Sequence, residues 1–134
     1  MSEAITCAWR DPVTDEEMVD LVRSHGGNDI AGWWTKIQKY SLGWATARDT
    51  DGLLVGFVNV AWDGGDHAFL IDTKTRGTHR HRGIGTAVVR LAASSARESG
   101  CEWLHVDFEP ELHDFYFKAC GFRPTDAGLI HLRP

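Results

Sequence analysis

Arginine, histidine and glycine crowd one short stretch of this chain. Arg76-Gly77-Thr78-His79-Arg80-His81-Arg82-Gly83-Ile84-Gly85 follows the apolar run Phe69-Leu70-Ile71 and precedes a second apolar run that ends at Gly100. A strand, a basic glycine-containing turn and a helix in that order bring free backbone N–H groups, the positive end of a helix dipole and cationic side chains to one point, and such a point binds phosphate. Gly83 and Gly85 fall in the first turn of the helix, where a helix former is normally preferred. Their missing side chains imply a ligand that approaches the backbone closely. The cations are local: the 134-residue chain has a formal net charge of −5, which disfavours nucleic acid as a partner and suits a small polyanion such as a nucleotide phosphate.

The elements that must hold this turn follow from periodicity. Ile84, Val88, Leu91 and Ser95, flanked by Ala87 and Ala92, form an apolar or small stripe that packs on a sheet, while Arg90, Arg97 and Glu98 face water. Upstream, residues 5–9 predict a strand stopped by Asp11-Pro12, and Thr14-x-x-Glu17 predicts a capping box that opens a helix burying Met18, Leu21 and Val22. After Gly26-Gly27, Asn28 or Asp29 caps a second helix in which Ile30, Trp33, Ile37 and Tyr40 recur at helical spacing. That stripe makes Trp33 a core residue and leaves Trp34 off it, either as packing or as the wall of an acceptor pocket. Residues 42–48, 53–62 and 67–75, separated by Asp49-Thr50-Asp51-Gly52 and Asp63-Gly64-Gly65-Asp66, predict an antiparallel meander. A strand over 103–108, a helix over about 111–120 and a short closing strand at Ile130-His131-Leu132 complete a single domain spanning residues 1–134. The fold class is α+β, a single mixed, mostly antiparallel sheet flanked by helices.

The spacing Arg80-x-x-Gly83-x-Gly85 resembles the (Arg/Gln)-x-x-Gly-x-(Gly/Ala) signature of the GNAT superfamily, the general N-acetyltransferases, and the order of elements matches the GNAT fold along essentially the whole chain. A Rossmann fingerprint is excluded, because its third glycine is absent and the turn lies in mid-chain. The resemblance implies acetyl-CoA as cosubstrate, with no metal. Its pyrophosphate would be held by Arg80, His81, Arg82, Gly83, Ile84, Gly85 and Thr86, and its pantetheine arm by the strand end at Thr73 and Thr75. The family's second block ends in Tyr-x-x-x-Gly-Phe. Here Phe117 stands at the tyrosine position before Gly121-Phe122, as a further cofactor contact, with Tyr116 one residue earlier and Pro110 where an asparagine is usual.

Acyl transfer from a thioester to an amine needs a polarised carbonyl, an uncharged amine, alignment and a proton for the leaving thiolate. Tyr116 is the candidate general acid. One residue on a helix is a rotation of about 100°, so it serves only where the helix is shifted or bulged; otherwise it is a structural aromatic and the thiolate leaves unaided. Candidates for the base are Asp72, Asp107, Glu109, His67 and His113, with Asp72 first because it interrupts an apolar strand beside the expected thioester site. Asp72 as a solvent-facing residue paired with Lys74 or Arg76 is the alternative. Asn59 is either an acceptor contact or a satisfied polar group of the sheet, and Asp107 is a further acceptor contact. Asp63, Asp66, Asp107, Glu109, Glu111 and Asp114 on turns and strand ends would favour a cationic acceptor, a small-molecule amine or a lysine.

The resulting expectation is an N-acetyltransferase working by direct attack in a ternary complex; the alternative, prompted by Phe117 and Pro110, is a CoA-binding module acting as a sensor. No apolar run approaches the roughly 18 to 20 residues of a membrane span, and the N-terminus lacks a leader pattern, so a cytoplasmic protein is expected. Cys7, Cys101 and Cys120 form an odd set without metal-like spacing, consistent with reduced thiols. Trp44, Trp62 and the aromatic C-terminal helix leave room for a homodimer face.

Overall fold

In the computed structural model, which describes residues 4–28 and 30–134, five strands form one sheet in the order β1 (Thr6–Trp9), β2 (Ser41–Arg48), β3 (Leu54–Trp62), β4 (His67–Thr75), β5 (Trp103–His105). The first three pairings are antiparallel and the last is parallel. That parallel pairing requires a crossover, supplied by the long helix α3 (Ile84–Glu98). Helix α3 covers one face: Ile84, Val88, Val89, Ala92 and Ala96 pack on Ala45, Ala47, Val58, Val60, Ala68 and Leu70. The opposite face carries α1 (Asp15–Ser24) and α2 (Trp33–Gln38), closed around Met18, Leu21, Trp34, Leu54 and Phe57.

Helix α1 starts as its sequence predicts. Thr14 Oγ1 accepts the Glu17 N–H at 3.0 Å, and the Glu17 carboxylate accepts the Thr14 N–H at 3.1 Å. Two cation anchors, Arg48 half-buried and Arg76 buried, fix it to the sheet. Arg48 pairs with Asp11 and Glu17, and Arg76 donates to Leu54 O and to Asp20, both at 2.8 Å. Arg76 is thus buried as a tie between α1 and β4, and it does not join the exposed cations of the turn.

Helix α2 is shorter than its periodic stripe suggests. It begins at Trp33 after Gly32, whose φ is +80°, so residues 30–32 are loop and the proposed cap at Asp29 lies outside the described residues. The shortening inverts the two tryptophans. Trp34 is 1% exposed, edge-on at 5.0 Å to both Trp44 and Phe57, whereas Ile30 and Tyr40 of the expected stripe are 71% and 68% exposed. A six-residue helix has too few turns for a stripe to form, and burial of the Trp34 ring against two sheet aromatics, Trp44 and Phe57, sets its rotation.

Two further expectations are corrected at the C-terminus. Strand β5 stops at His105, and Ile130-His131-Leu132 forms no closing strand: Leu129, Ile130 and Leu132 are 81–88% exposed, and residues 121–134 carry no regular element. A strand needs a partner edge to satisfy its backbone, and three paired residues of β5 are a weak template. No described helix is long and apolar enough to cross a membrane.

Candidate active site

Strand β4 contains the feature that organises the site. Its partner β3 places Phe57 opposite Lys74 and Asn59 opposite Ile71, so the single residue Val58 faces two, Asp72 and Thr73. This is a β-bulge, and Asp72 takes a left-handed φ of +60° within it. Aspartate is among the few residues that tolerate this region. Because side chains alternate along a strand, one inserted residue exchanges the faces beyond it. Before the bulge, Ala68 and Leu70 face α3. After it Thr73 and Thr75 do so, while Lys74 turns to the other face, its Nζ 5.4 Å from the centre of the Trp33 ring.

Two cavities result, one on each face of the same strand. On the α3 face a cavity of about 350 Å³ is lined by Thr73, Thr75, His79, Arg80, His81, Gly83, Ile84, Gly85, Thr86, Leu112, Phe115 and Tyr116. It gathers nearly all the residues read as cofactor contacts. Arg82 is exposed beside it on the same turn. Phe117 does not line it; its ring lies against Phe108 and His113 at 5.1 and 5.4 Å, and Phe115 and Leu112 occupy the wall instead.

The turn is shaped to present N–H groups. His81 and Gly83 both have positive φ, at +62° and +77°, and α3 begins without any side-chain cap. Its first N–H groups therefore point at the cavity without an intrahelical partner. Space is tight at the second glycine: a Cβ on Gly85 would stand 3.1 Å from Phe115 Cζ.

Strands β4 and β5 pair only from His67–Trp103 to Phe69–His105 and then diverge. Tyr116 fills the opening. It is 5% exposed, stacks on Phe108 at 4.5 Å and donates its hydroxyl proton to Thr73 Oγ1 at 3.1 Å. Phe117 holds the expected tyrosine position, yet Tyr116 reaches the site because Asp114–Ala119 is a π-helix, with Cys120 N–H bonded to Phe115 O. A π turn contains about one residue more than an α turn, which is the bulge that a tyrosine displaced by one position requires. Burial pushes the Tyr116 phenol above its ordinary pKa, against the hydrogen bond with Thr73.

On the opposite face a smaller cavity, about 190 Å³, is lined by Met18, Val19, Val22, Asn28, Ile30, Trp33, Asp72 and Lys74. Burial raises the pKa of Asp72, with Lys74 opposing. Trp34 does not wall this cavity; its neighbour Trp33 does. Asn59 is 2% exposed and its Oδ1 accepts the Ser41 hydroxyl at 2.6 Å, as a satisfied polar group of the sheet. Asp107 is exposed beyond the end of β5 and lines neither cavity. Asp63 and Asp66 lie at the far end of β4, and Glu109, Glu111 and Asp114 are exposed, so none of the acidic residues read as a rim lines this cavity. Sequence periodicity missed Met18, Val22 and Trp33 as pocket residues because they carry the pattern of core.

The sheet splits after a bulged strand, with a basic, glycine-bearing turn on one face and a carboxylate-bearing pocket on the other. The family model described as the acetyltransferase (GNAT) family matches residues 3–122, and the chain belongs to that family. Over 59 residues it is 39% identical to the probable glucosamine 6-phosphate N-acetyltransferase 2 of Oryza sativa subsp. japonica, a match covering 44% of this chain and 35% of that protein. Its fold is similar to that of a probable acetyltransferase from meticillin-resistant Staphylococcus aureus (TM-score 0.81, 18% identity, 98% of this chain and 100% of that one). It is also similar to a GNAT family N-acetyltransferase of Escherichia coli solved with CoA (TM-score 0.74, 16% identity, 92% and 71%).

Proposed function

We propose that this protein transfers the acetyl group of acetyl-CoA to the primary amine of a small molecule by direct attack in a ternary complex. The observation that carries the reading is the bulge at Asp72: it sets the cavity beside the basic turn and a carboxylate-bearing cavity back to back across one strand, where β4 and β5 part. The α3 N-terminus with Arg80 and Arg82 holds the pyrophosphate, and Thr73 and Thr75 flank the pantetheine arm.

The amine approaches from the Asp72 side. Its lone pair forms the N–C bond to the thioester carbonyl as the C–S bond breaks, and the products are an N-acetyl amine and CoA thiol. Asp72 takes the amine proton; a carboxyl whose pKa is raised by burial is a stronger base than an ordinary one. Tyr116 gives a proton to the departing thiolate, and its raised pKa keeps it protonated for that role. The resting hydrogen bond to Thr73 orients the phenol.

The test is release of free thiol from acetyl-CoA over a library of amines, with Asp72→Asn and Tyr116→Phe alongside. Amine-dependent release, reduced in both variants, supports the reading. Tight binding of acetyl-CoA with no release for any amine would leave a cofactor-holding module and refute the transfer step.

A further inference from the structure

The charges within the smaller cavity say what kind of amine fits it. Asp72 and Lys74 are its two charged residues, placed on one face two positions apart by the bulge. They are not directly paired: no ion pair within 4 Å joins them, and among the described residues the Lys74 ammonium rests instead over the Trp33 ring. Outside this lining, after the end of α1, His25 has a buried Nε2 without a hydrogen-bond partner. Burial lowers the His25 pKa first, and the positive charges of Lys74 and Arg80 lower it further. The remaining lining is largely apolar, and the volume of about 190 Å³ admits only a small body.

A carboxylate and an ammonium held apart in a half-buried, mostly apolar pocket are complementary to a ligand that bears the opposite pair at matching separation. A polycation would meet one carboxylate and a repelling lysine. Extending the transferase reading above, we propose that the acceptor is a small amine that also carries an acidic group, its nitrogen at Asp72, its acid at Lys74 and its apolar body against Met18, Val22 and Trp33. Lys74 is then the residue that determines specificity, while the transfer chemistry lies elsewhere.

The experiment compares apolar α-amino acids with their uncharged carboxamides, methionine and phenylalanine each against its amide, by thiol release from acetyl-CoA. Wild-type protein should favour the acid of each pair by about tenfold or more in kcat/KM, the scale of one charge-assisted contact. Lys74→Met should bring the ratio close to one, mainly by raising KM for the acid, and Lys74→Glu should favour the amide. A thermal melt of each variant checks that it folds. Amides used as well as acids by the wild type, an unchanged ratio in Lys74→Met, or turnover confined to amines without an acidic group would overturn this inference while leaving the transferase reading intact. No thiol release with any amine would overturn the transferase reading itself.

Discussion

Tyr116→Phe separates the catalytic claim from the structural one. The substitution keeps the ring against Phe108 at 4.5 Å and Phe115 at 4.7 Å and removes only the hydroxyl that donates to Thr73. One such hydrogen bond is worth about 1 kcal/mol, which for a domain of this size lowers Tm by about 4 °C. The effect on rate should be larger. General acids contribute about 10² to 10⁴, and a thiolate with a pKa of about 8.5 needs less help than most leaving groups. The expected fall in kcat is therefore about 10², equivalent to about 2.7 kcal/mol on the barrier. The assay is thiol release at saturating acetyl-CoA and amine, paired with a thermal melt. A second variant, Tyr116→Phe with Phe117→Tyr, restores a tyrosine at the position the family pattern favours, but there the ring packs on Phe108 and His113 and not on Thr73. It should not recover the rate. A kcat for Tyr116→Phe within threefold of wild type, or recovery in the double variant, would refute the assignment and the claim that the π-helix resets the register.

Three other perturbations test the surrounding geometry. Trp34→Ala should cost about 3–5 kcal/mol of stability with no selective change in acceptor KM, whereas Trp33→Ala should raise acceptor KM with a small change in Tm; the reverse pattern would mean that the tryptophan roles are misassigned. Asp72→Asn keeps a residue tolerant of φ +60° and should lower kcat/KM by about 10². Because the folded-state pKa of Asp72 is raised, its carboxylate costs stability as pH climbs above the ordinary value of about 4. The Tm of the variant relative to wild type should therefore be higher at pH 7 than at pH 4, and an equal difference at both would contradict burial of the charge. Gly85→Ala places a Cβ 3.1 Å from Phe115 Cζ in the cofactor wall and should raise the KM for acetyl-CoA about tenfold, the equivalent of about 1.4 kcal/mol of overpacking; calorimetric titration of acetyl-CoA showing undiminished affinity would refute the close approach.

What was legible in the chain is what depends on neighbours in sequence. The capping box at Thr14 and Glu17 and the amphipathic stripe of α3 each state a local requirement, and each is met. The π-helix was not legible, because whether a segment closes i+4 or i+5 bonds is decided by the aromatic packing of Phe108, Phe115 and Phe122 around Tyr116. The inversion of Trp33 and Trp34 is of the same kind: the stripe was counted over a helix that Gly32 cuts short.

The bulge at Asp72 is the least legible feature and the most consequential. A strict period of two over 67–75 would send Asp72 and Lys74 to the α3 face with Ala68 and Leu70, placing both charges in the hydrophobic layer beneath the helix. The inserted residue avoids the cost of that arrangement, since the left-handed turn moves both charged side chains to the opposite face and brings two threonines to the α3 face. The same step that avoids buried charge thus puts Asp72 and Lys74 in one cavity and Thr73 and Thr75 in the other, on opposite faces of one strand. It follows that deleting Asp72, which relaxes the bulge as well as removing the carboxylate, should lower transfer well below that of Asp72→Asn, through loss of alignment, even where the turn at Arg80 to Gly85 still binds acetyl-CoA. Transfer equal to that of Asp72→Asn in a folded deletion variant would show that alignment does not need the bulge.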